Sequence, residues 1–517
     1  MAANRPSIVF VLLATICTAT TVAAKDYFLT IGGGSSPGGN QVSLEKNVLF
    51  FQRLLSGQQL ADAPHDLFFS DGNDPHRDLQ FASPDFDVPE ANRLLASVFS
   101  QEKGLRYQYR NHQLPGRQEA ATRANLERWF REVGAKLAAG DRLIVYLTGH
   151  GGKGNPTRNS HFYLWSGERM SVADFVEQLD TVPGEVPVVA VMVQCYSGGF
   201  ANIVFNDGDP EQGVASAPRC GFFATVEDRV AAGCTADIRE ENYHEYSSYF
   251  WAAIGGEDRL GAAVTSPDYD GDGAVSFAEA HAYALIHSPT IDISVKTSDA
   301  LLRAYSKTEA DGHPDLLTAE SPYELLWEHA TPAERAVLDG LSEQLALAGP
   351  DRAAAARQLA KDAKEERKPL DTRKREAGKK LNGIRASLRK TLMARWPELA
   401  SPWHPSVAGI LATEGGDVVA VLQSHSQYSR FVELRSEIEQ LSKQTLDLDR
   451  RWVKCQRLLR TLENVALAAN LSHFASPEVL GDYQRLCACE AAGLHQPADL
   501  SPAIAATADV DAVNTGE

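Results

Sequence analysis

The chain has 517 residues, of which 44% are hydrophobic and 23% are charged, so it can bury a large core in two to four domains. Its formal net charge of −18 and its pI near 5.3 argue against a nucleic-acid-binding protein, which needs a basic face. We therefore expect no nucleic-acid partner. Other classes of function are not separated by composition.

The N-terminus has the three parts of a secretory signal peptide. Arg5 precedes an apolar run from Ile8 to Val22, and the small residues Ala23 and Ala24 follow it. A membrane anchor is the alternative, but threonines interrupt the run and it is short for a span. We predict cleavage after Ala24. The mature protein would then be secreted, or periplasmic or lumenal, without a transmembrane segment.

The cysteine count fits an oxidising compartment. Of seven cysteines, Cys17 leaves with the signal peptide and six remain. If Cys195 must stay a free thiol, an odd number is left. Two pairings are plausible and the spacing does not fix them: Cys220 with Cys234, and Cys455 with Cys487 or Cys489.

From Lys25 to about Tyr305, short buried strands alternate with amphipathic helices. This order predicts an α/β fold with a mostly parallel sheet sandwiched by helices. The predicted strands cover 27–31, 66–69, 143–147 and 186–193. The predicted helices include one that Ser43 would cap and one that Ser171 would cap.

From about Ser321 the chain is rich in Ala, Leu, Glu, Lys and Arg. Apolar residues recur in steps of four and three from Leu434 to Leu462, which predicts a long, coiled-coil-like helix. An earlier helical stretch ends before Pro397, so an antiparallel hairpin or small bundle is expected. The predicted organisation is a signal peptide (1–24), an α/β domain (25–315), a helical domain (316–495) and a disordered tail (496–517).

Two residues with catalytic chemistry follow buried strands. His150 comes after the apolar run 143–147, and Cys195 comes after the run 186–193. Ligands bind outside the carboxyl ends of the strands in open parallel sheets, so we expect these two side chains to meet at one edge. The alternative is a small core cysteine and a structural histidine.

This pairing suits a cysteine nucleophile. Only the thiolate attacks, and an adjacent imidazole can take the proton of Cys195 and later protonate a leaving amine. The developing oxyanion needs N–H donors, for which the backbone of Gly151 and Cys195 are the candidates. The sequence thus predicts a Cys195–His150 dyad.

The motifs Thr148-Gly-His-Gly-Gly152 and Gln194-Cys-Tyr-Ser-Gly-Gly199 resemble those of the caspase, metacaspase and legumain clan of cysteine peptidases. The closest resemblance is to the legumain and glycosylphosphatidylinositol-transamidase branch, and it covers about 25–302. It implies a caspase-like fold and cleavage of a protein or peptide substrate through a thioester, after one preferred side chain.

Two positions depart from that family. Its members carry an acidic residue or Gln two positions before the nucleophile, where this chain has Val193, with Gln194 one position later. Legumains also carry an Arg just after the first strand, where this chain has the glycine-rich loop 32–39. Glu227 and Asp228 are candidates for a negative pocket wall, although exposed loop carboxylates are as often inert.

A second motif runs from Asp268 to Glu279 and fills every position of an EF-hand calcium loop. Its ligands would be Asp268, Asp270, Asp272, the carbonyl of Ala274, Ser276 and Glu279. Pro267 weakens the usual entering helix, and no second hand is visible in the sequence. A Ca²⁺ ion with a structural or regulatory role is expected, and a tight acidic turn that begins the next helix is the alternative.

Several functions remain open from the sequence. The leading hypothesis is a secreted cysteine endopeptidase, with C-terminal helices that pack on the peptidase domain, where they could hold it latent, or on a partner. A transamidase or ligase would use the same dyad. A catalytically silent binding module on the same fold would explain Val193. A calcium-dependent interaction protein would use its helices instead.

Overall fold

The structure is a computed structural model that describes residues 25–309, 313–401 and 404–495. The predicted signal peptide and the predicted disordered tail therefore lie outside the described residues. Within those three ranges, none of the helices combines the length and the apolar character needed to cross a bilayer.

A seven-stranded sheet organises the first part of the described chain. Its strands are β1 (Asp26–Gly33), β2 (His65–Phe69), β5 (Gln118–Glu119), β6 (Arg142–Gly149), β10 (Val188–Met192), β11 (Arg219–Phe223) and β12 (Val295–Lys296). Their spatial order is β12-β11-β10-β6-β1-β2-β5. Every neighbouring pair is parallel except β11 with β12. The expected α/β architecture with a mostly parallel sheet is confirmed.

Two small antiparallel sheets lie beside the main one. The first pairs β3 (Leu79–Ala82) with β4 (Tyr107–Arg110), and the second joins β7 (Gly151–Gly152), β8 (His161–Tyr163) and β9 (Arg169–Ser171). The second sheet directly follows His150, so it fixes the direction in which the chain leaves β6.

The central strands are covered on both faces, which explains their unbroken apolar runs. Along β6, Ile144 and Tyr146 face one apolar core, whereas Leu143, Val145 and Leu147 face the other. The first core is shared with α1 (Val42–Gly57), α5 (Tyr246–Gly255) and α6 (Phe277–His287), and the second with α3 (Arg123–Glu132) and α4 (Val172–Leu179).

The two helix starts that the sequence predicts turn out differently. Ser171 caps α4, and its hydroxyl accepts a hydrogen bond from the N–H of Asp174. Ser43 does not cap α1, because the helix already begins at Val42 and Gln41 holds the cap position. The Ser43 hydroxyl instead accepts from the N–H of Thr235, a contact between residues far apart in sequence.

The remaining helices are largely those of the C-terminal half. They are α2 (Glu90–Phe99), α7 (Thr297–Tyr305), α8 (Tyr323–His329), α9 (Pro332–Gln344), α10 (Arg352–Arg395), α11 (Val407–Gln423), α12 (Tyr428–Asn470) and α13 (Pro477–Glu490). Helices α10 and α12 pair antiparallel, since Arg367 contacts Asp449 while Arg373 contacts Glu437. The predicted long helix and hairpin are confirmed, and the 315/316 domain boundary stays a prediction.

The disulfide corrects the pairings suggested by spacing. Cys220 on β11 bonds to Cys489 on α13, across 269 residues of sequence, whereas Cys234, Cys455 and Cys487 are free. Cys220 and Cys489 are both buried in the same apolar core, where α13 packs on β11. Because this docking of the last described helix is tertiary, spacing along the chain could not reveal it.

Helix α12 is anchored to the sheet-containing body by one buried arginine. The Arg457 guanidinium donates to the carbonyls of Leu285, Ser288 and Asp292 at 2.8–2.9 Å. Near its end, Asn470 is 2% exposed and its amide donates to the carbonyls of Lys307 and Leu317. Asn470 begins an Asn-Leu-Ser sequence of the N-glycosylation type, and its buried amide is not accessible for glycosylation in this fold.

Candidate functional site

The sheet brings the two predicted catalytic residues to one edge. In the β6–β10 pair, Leu147 lies opposite Met192. His150 and Cys195 each follow those partners by three residues (150 − 147 = 3; 195 − 192 = 3), so they leave neighbouring strands at the same level. A Cβ atom added to Gly151 would lie 2.1 Å from the Cys195 carbonyl oxygen. Only glycine therefore fits after His150, and the backbones of Gly151 and Cys195 are in contact.

The ring of His150 is held by two acceptors on one nitrogen. Its Nε2 lies 2.7 Å from the carbonyl oxygen of Gly39 and 2.9 Å from Oε1 of Gln41. The Gln41 amide is oriented, because its Nε2 donates to the Gly38 carbonyl at 3.2 Å. Neither acceptor can donate, so Nε2 carries the proton and Nδ1 keeps its lone pair. Nδ1 is therefore the atom that can take a proton from a thiol.

The half-buried Cys195 thiol contacts a backbone segment, residues 229–234. The Ala231 N–H donates to Sγ at 3.4 Å, and Sγ donates to the Ala231 carbonyl at 3.8 Å. Burial raises the pKa of the Cys195 thiol, and the N–H donor at Ala231 only partly offsets that effect. The resting site thus favours a neutral thiol.

Segment 229–234 is in turn fixed from both sides. The Arg229 carbonyl accepts from the N–H of Tyr196 at 2.8 Å, and the Ala232 N–H donates to Oδ1 of Asp292 at 2.7 Å. Arg457 of α12 binds the carbonyl of the same Asp292. The long C-terminal helix is therefore connected, through Asp292, to the segment that contacts the Cys195 thiol.

A second thiol lies at the same edge and was missed by sequence reasoning. Cys234 is free, and its Sγ lies 3.9 Å from the carbonyl oxygen of Gly149, the residue before His150. Its expected pairing with Cys220 gave no hint of this position. The spacing from Cys195 carries no signal for it either, because Cys234 reaches the edge through a loop.

A buried polar anchor supports the loop that holds His150. Asn40 accepts from the N–H of Gly34 at 3.2 Å and donates to Asp78 at 3.1 Å, and Asp78 contacts His112 Nδ1 at 2.8 Å. Asp71 joins this group, with one ligand atom of each acidic or imidazole side chain within 4.8 Å. Burial and the nearby Asp78 raise the pKa of Asp71 to about 6. Both carboxylate oxygens of Asp78 already make hydrogen bonds, so we assign this cluster the role of supporting the loop that contacts His150.

The residues expected to set specificity lie in different environments. Val193 lies in the apolar core beside α1 and α5, where it offers no polar group. The Gln194 amide is buried and makes no hydrogen bond to the described residues. Glu227 lines a cavity of about 330 Å³ that Arg158, Arg303 and Arg460 also line, whereas Asp228 is exposed. The surroundings of Glu227 therefore mix both signs of charge.

The acidic loop keeps part of the predicted ligand set together. Asp268, Asp270 and Glu279 each place one carboxylate oxygen within 4.8 Å of the others. Asp272 instead accepts from the N–H of Ala274, and the Ser276 hydroxyl caps α6 in a capping box with Glu279. Three carboxylates of the six predicted ligands are thus close enough to share one cation, and hard oxygen donors suit Ca²⁺.

The loop is paired with the C-terminal end of the described chain. Ser276 forms a β-bridge with Gly493, and the Phe277 N–H donates to the Ala492 carbonyl at 2.9 Å. Glu490, at the end of α13, accepts from the Ser298 N–H at 2.8 Å and pairs with Lys296 at 2.8 Å. Helix α13 and the residues after it therefore join the loop to the sheet.

Comparisons with known proteins leave the chain without an assigned family. No family model and no curated protein matches it. Among solved structures, the crystal structure of protein GSU0716 from Geobacter sulfurreducens aligns with 53% of this chain and 93% of its own. The identity is 9% and the TM-score is 0.28, a level of likeness from which we draw no conclusion.

Proposed function

We propose that this protein is a secreted cysteine endopeptidase of the caspase–legumain type, with Cys195 as the nucleophile and His150 as the acid–base residue. The observation that carries the proposal is the matched exit of these residues from two adjacent parallel strands. The protonated Nε2 of His150 supports it further, because that tautomer leaves Nδ1 ready to accept a proton.

The proposed reaction begins when Nδ1 of His150 takes the Cys195 proton and the thiolate attacks a peptide carbonyl. The N–H groups of Gly151 and Cys195 would stabilise the resulting oxyanion. The imidazolium then gives its proton to the leaving amine as the C–N bond breaks, which leaves a thioester on Sγ. Water, deprotonated by His150, hydrolyses that thioester and restores the thiol.

The contacts of the half-buried Cys195 thiol support a resting conformation. Its Sγ contacts both the N–H and the carbonyl of Ala231, so a substrate carbonyl that approaches Sγ would compete with segment 229–234 for the same space. We therefore propose that this segment moves before the thiolate forms, and that the C-terminal helices restrain it through Arg457 and Asp292.

The test is cleavage of a peptide library by the purified full-length protein, by Cys195→Ala and by Asp292→Ala, which removes the acceptor of the Ala232 N–H. Cysteine-dependent cleavage supports the peptidase, and faster cleavage by Asp292→Ala supports the restraint of segment 229–234. Added amine nucleophiles distinguish a transamidase, since a ligated product would then replace the hydrolysed one.

A silent binding module is the competing proposal. It is favoured by Val193, which is buried among apolar side chains where the family has a polar residue. An electrophilic peptide that fails to label Cys195 in any form of the protein would favour this module over the enzyme.

We also propose that loop 268–279 binds Ca²⁺ in a structural or regulatory role. The proximity of Asp268, Asp270 and Glu279 supports this proposal. A calcium-dependent interaction protein, in which the helices act and Cys195 is dispensable, would show Ca²⁺-dependent partner binding that Cys195→Ala leaves intact.

A further inference from the structure

The loop between β1 and α1 approaches the candidate site from a third strand. Its residues Gly39 and Gln41 both contact Nε2 of His150, at 2.7 and 2.9 Å. A Cβ atom added to Gly34 would lie 2.3 Å from the Gly39 carbonyl oxygen, so the loop folds back on itself at this acceptor. The loop is therefore tightly constrained where it meets the imidazole.

The side chain of Gln41 does not cap the helix that it precedes. It occupies the cap position of α1 but makes no capping hydrogen bond with its side chain. Its two polar atoms instead contact the Gly38 carbonyl and the His150 ring. An apolar residue of similar length could hold the cap position equally well, so the amide serves the histidine.

The anchor beneath the loop fixes Gln41 from the other side. Asn40 is fully buried and bonds the Gly34 N–H and Asp78, and its carbonyl accepts from the N–H of Gln80 at 2.8 Å. The backbone on which Gln41 sits is thus held by residues that do not touch His150. A side chain on so fixed a backbone can select one orientation of the imidazole.

We propose that Gln41 is a positioning residue for His150: its Oε1 shares the Nε2 proton with the Gly39 carbonyl, which holds the tautomer with a free Nδ1 and sets the ring plane. This inference rests on the proposed cysteine-peptidase function. It adds a residue from the β1–α1 loop to a site otherwise built at the ends of β6 and β10.

The test compares Gln41→Met, Gln41→Glu and the control Gln80→Met. Gln80 is buried and pairs with Gln41 through a backbone β-bridge, and its side chain donates to the hydroxyl of Tyr109 instead of contacting His150. We expect Gln41→Met to lower kcat about 10-fold with KM little changed. General acid–base groups contribute 10²–10⁴-fold, and the Gly39 acceptor remains. Gln80→Met should match the wild type.

Gln41→Glu gives a measurement, the pH profile of the activity, that a purely structural role of Gln41 would not change. A carboxylate acceptor retains the hydrogen bond and stabilises the imidazolium. We therefore expect most of the activity to return and the acidic limb of the kcat/KM–pH profile to move to higher pH. An active wild type with unchanged rates and pH profiles in both Gln41 variants would overturn the proposal.

A second readout separates this proposal from the proposed function. Alkylation of Cys195 by iodoacetamide, followed by peptide mass spectrometry, needs no substrate. If positioning is right, Gln41→Met changes the pH dependence of that rate and Gln80→Met does not. Identical alkylation profiles overturn positioning, whereas a failure of all forms to cleave any peptide counts against the peptidase alone.

Discussion

The site at the end of β6 and β10 and the acidic loop 268–279 are built on opposite principles. The proposed cation ligands of the loop come from twelve consecutive residues, and backbone N–H groups of the loop already bond its carboxylates. The strand-end site combines His150, Cys195 and Gln41, which belong to three separate connections. A local motif can therefore be read from spacing, whereas a strand-end site depends on register and on loops from elsewhere.

The two regions are nevertheless joined through the C-terminal part of the chain. Gly493 pairs with Ser276 of the loop, and the Cys220–Cys489 disulfide joins α13 to β11, the neighbour of β10. Variants in one region can therefore be used to measure whether a change there affects the other region.

The largest expected effect is a loss of activity at the strand-end site that leaves the acidic loop unchanged. His150→Ala should lower kcat/KM by about 10²–10⁴-fold, because general acid–base catalysis is lost. Any Ca²⁺-dependent change in thermal stability should stay the same, since loop 268–279 is untouched. The exposed His244→Ala is the matched control. Cleavage that survives in His150→Ala would remove this residue from the site.

The next effect tests the connection between the regions. Removing the Cys220–Cys489 disulfide with alanine at both positions should lower the free energy of unfolding by about 2–5 kcal/mol, the usual cost of losing a native disulfide. Cys455→Ala, which removes a buried free thiol, controls for lost packing. Urea unfolding measures the free energy of unfolding of both variants. Equal destabilisation would mean that the disulfide stabilises the fold only through the packing of its sulfur atoms.

A third prediction concerns the link between segment 229–234 and α12. Burial raises the pKa of Asp292 to about 6 from an ordinary value of 3.8. Between about pH 4 and pH 6 the Asp292 carboxyl is therefore protonated in the folded protein but ionised in the unfolded chain. The contribution of Asp292 to the free energy of unfolding thus falls as pH rises through this range. The difference is at most about 3 kcal/mol, from roughly 2.2 pH units at 1.36 kcal/mol each.

The variant that isolates this effect is Asp292→Asn, which retains an oxygen for the Ala232 N–H. We expect it to gain stability relative to the wild type between pH 4 and pH 7 in thermal unfolding. Other titrating groups cancel in that difference. The half-buried Asp258→Asn should follow the wild type, and a profile of Asp292→Asn parallel to that of the wild type would contradict the burial of a charge at Asp292.

The smallest effect concerns the loop itself. Ca²⁺ at 100 times its Kd should stabilise the protein by about 2.7 kcal/mol, and Asp270→Asn should reduce that gain by weakening the site. Asp258→Asn is the control, because Asp258 also accepts backbone N–H bonds in an exposed turn. Calorimetric titration measures binding directly, and equal affinity in both variants would exclude the proposed ligand set.

Periodicity predicted the regular elements well because it reports burial of single segments. The long helix α12 and the buried strands β6 and β10 follow from their apolar patterns. The start of α1 was wrong, since the Ser43 hydroxyl bonds Thr235 and a local cap rule cannot detect a distant partner. The disulfide was wrong for the same reason, as Cys489 reaches β11 only when α13 docks.

The candidate site shows the same division. His150, Gly151 and Cys195 were predictable, because the ends of buried parallel strands meet at one edge. Gln41, Cys234 and the contact of segment 229–234 with the Cys195 thiol carried no sequence signal. Each of them comes from a loop whose path depends on packing between elements that are distant in sequence.

The sequence by itself determined the α/β class, the strand ends that carry His150 and Cys195, the acidic loop and the helical hairpin, because each depends on short-range patterns of apolar and polar residues. Only the tertiary structure decided the register of β6 with β10, the acceptors on His150, the contacts of the Cys195 thiol and the Cys220–Cys489 bond. These features depend on which surfaces pack together, and that choice minimises the exposed apolar area of the whole chain rather than of any one segment.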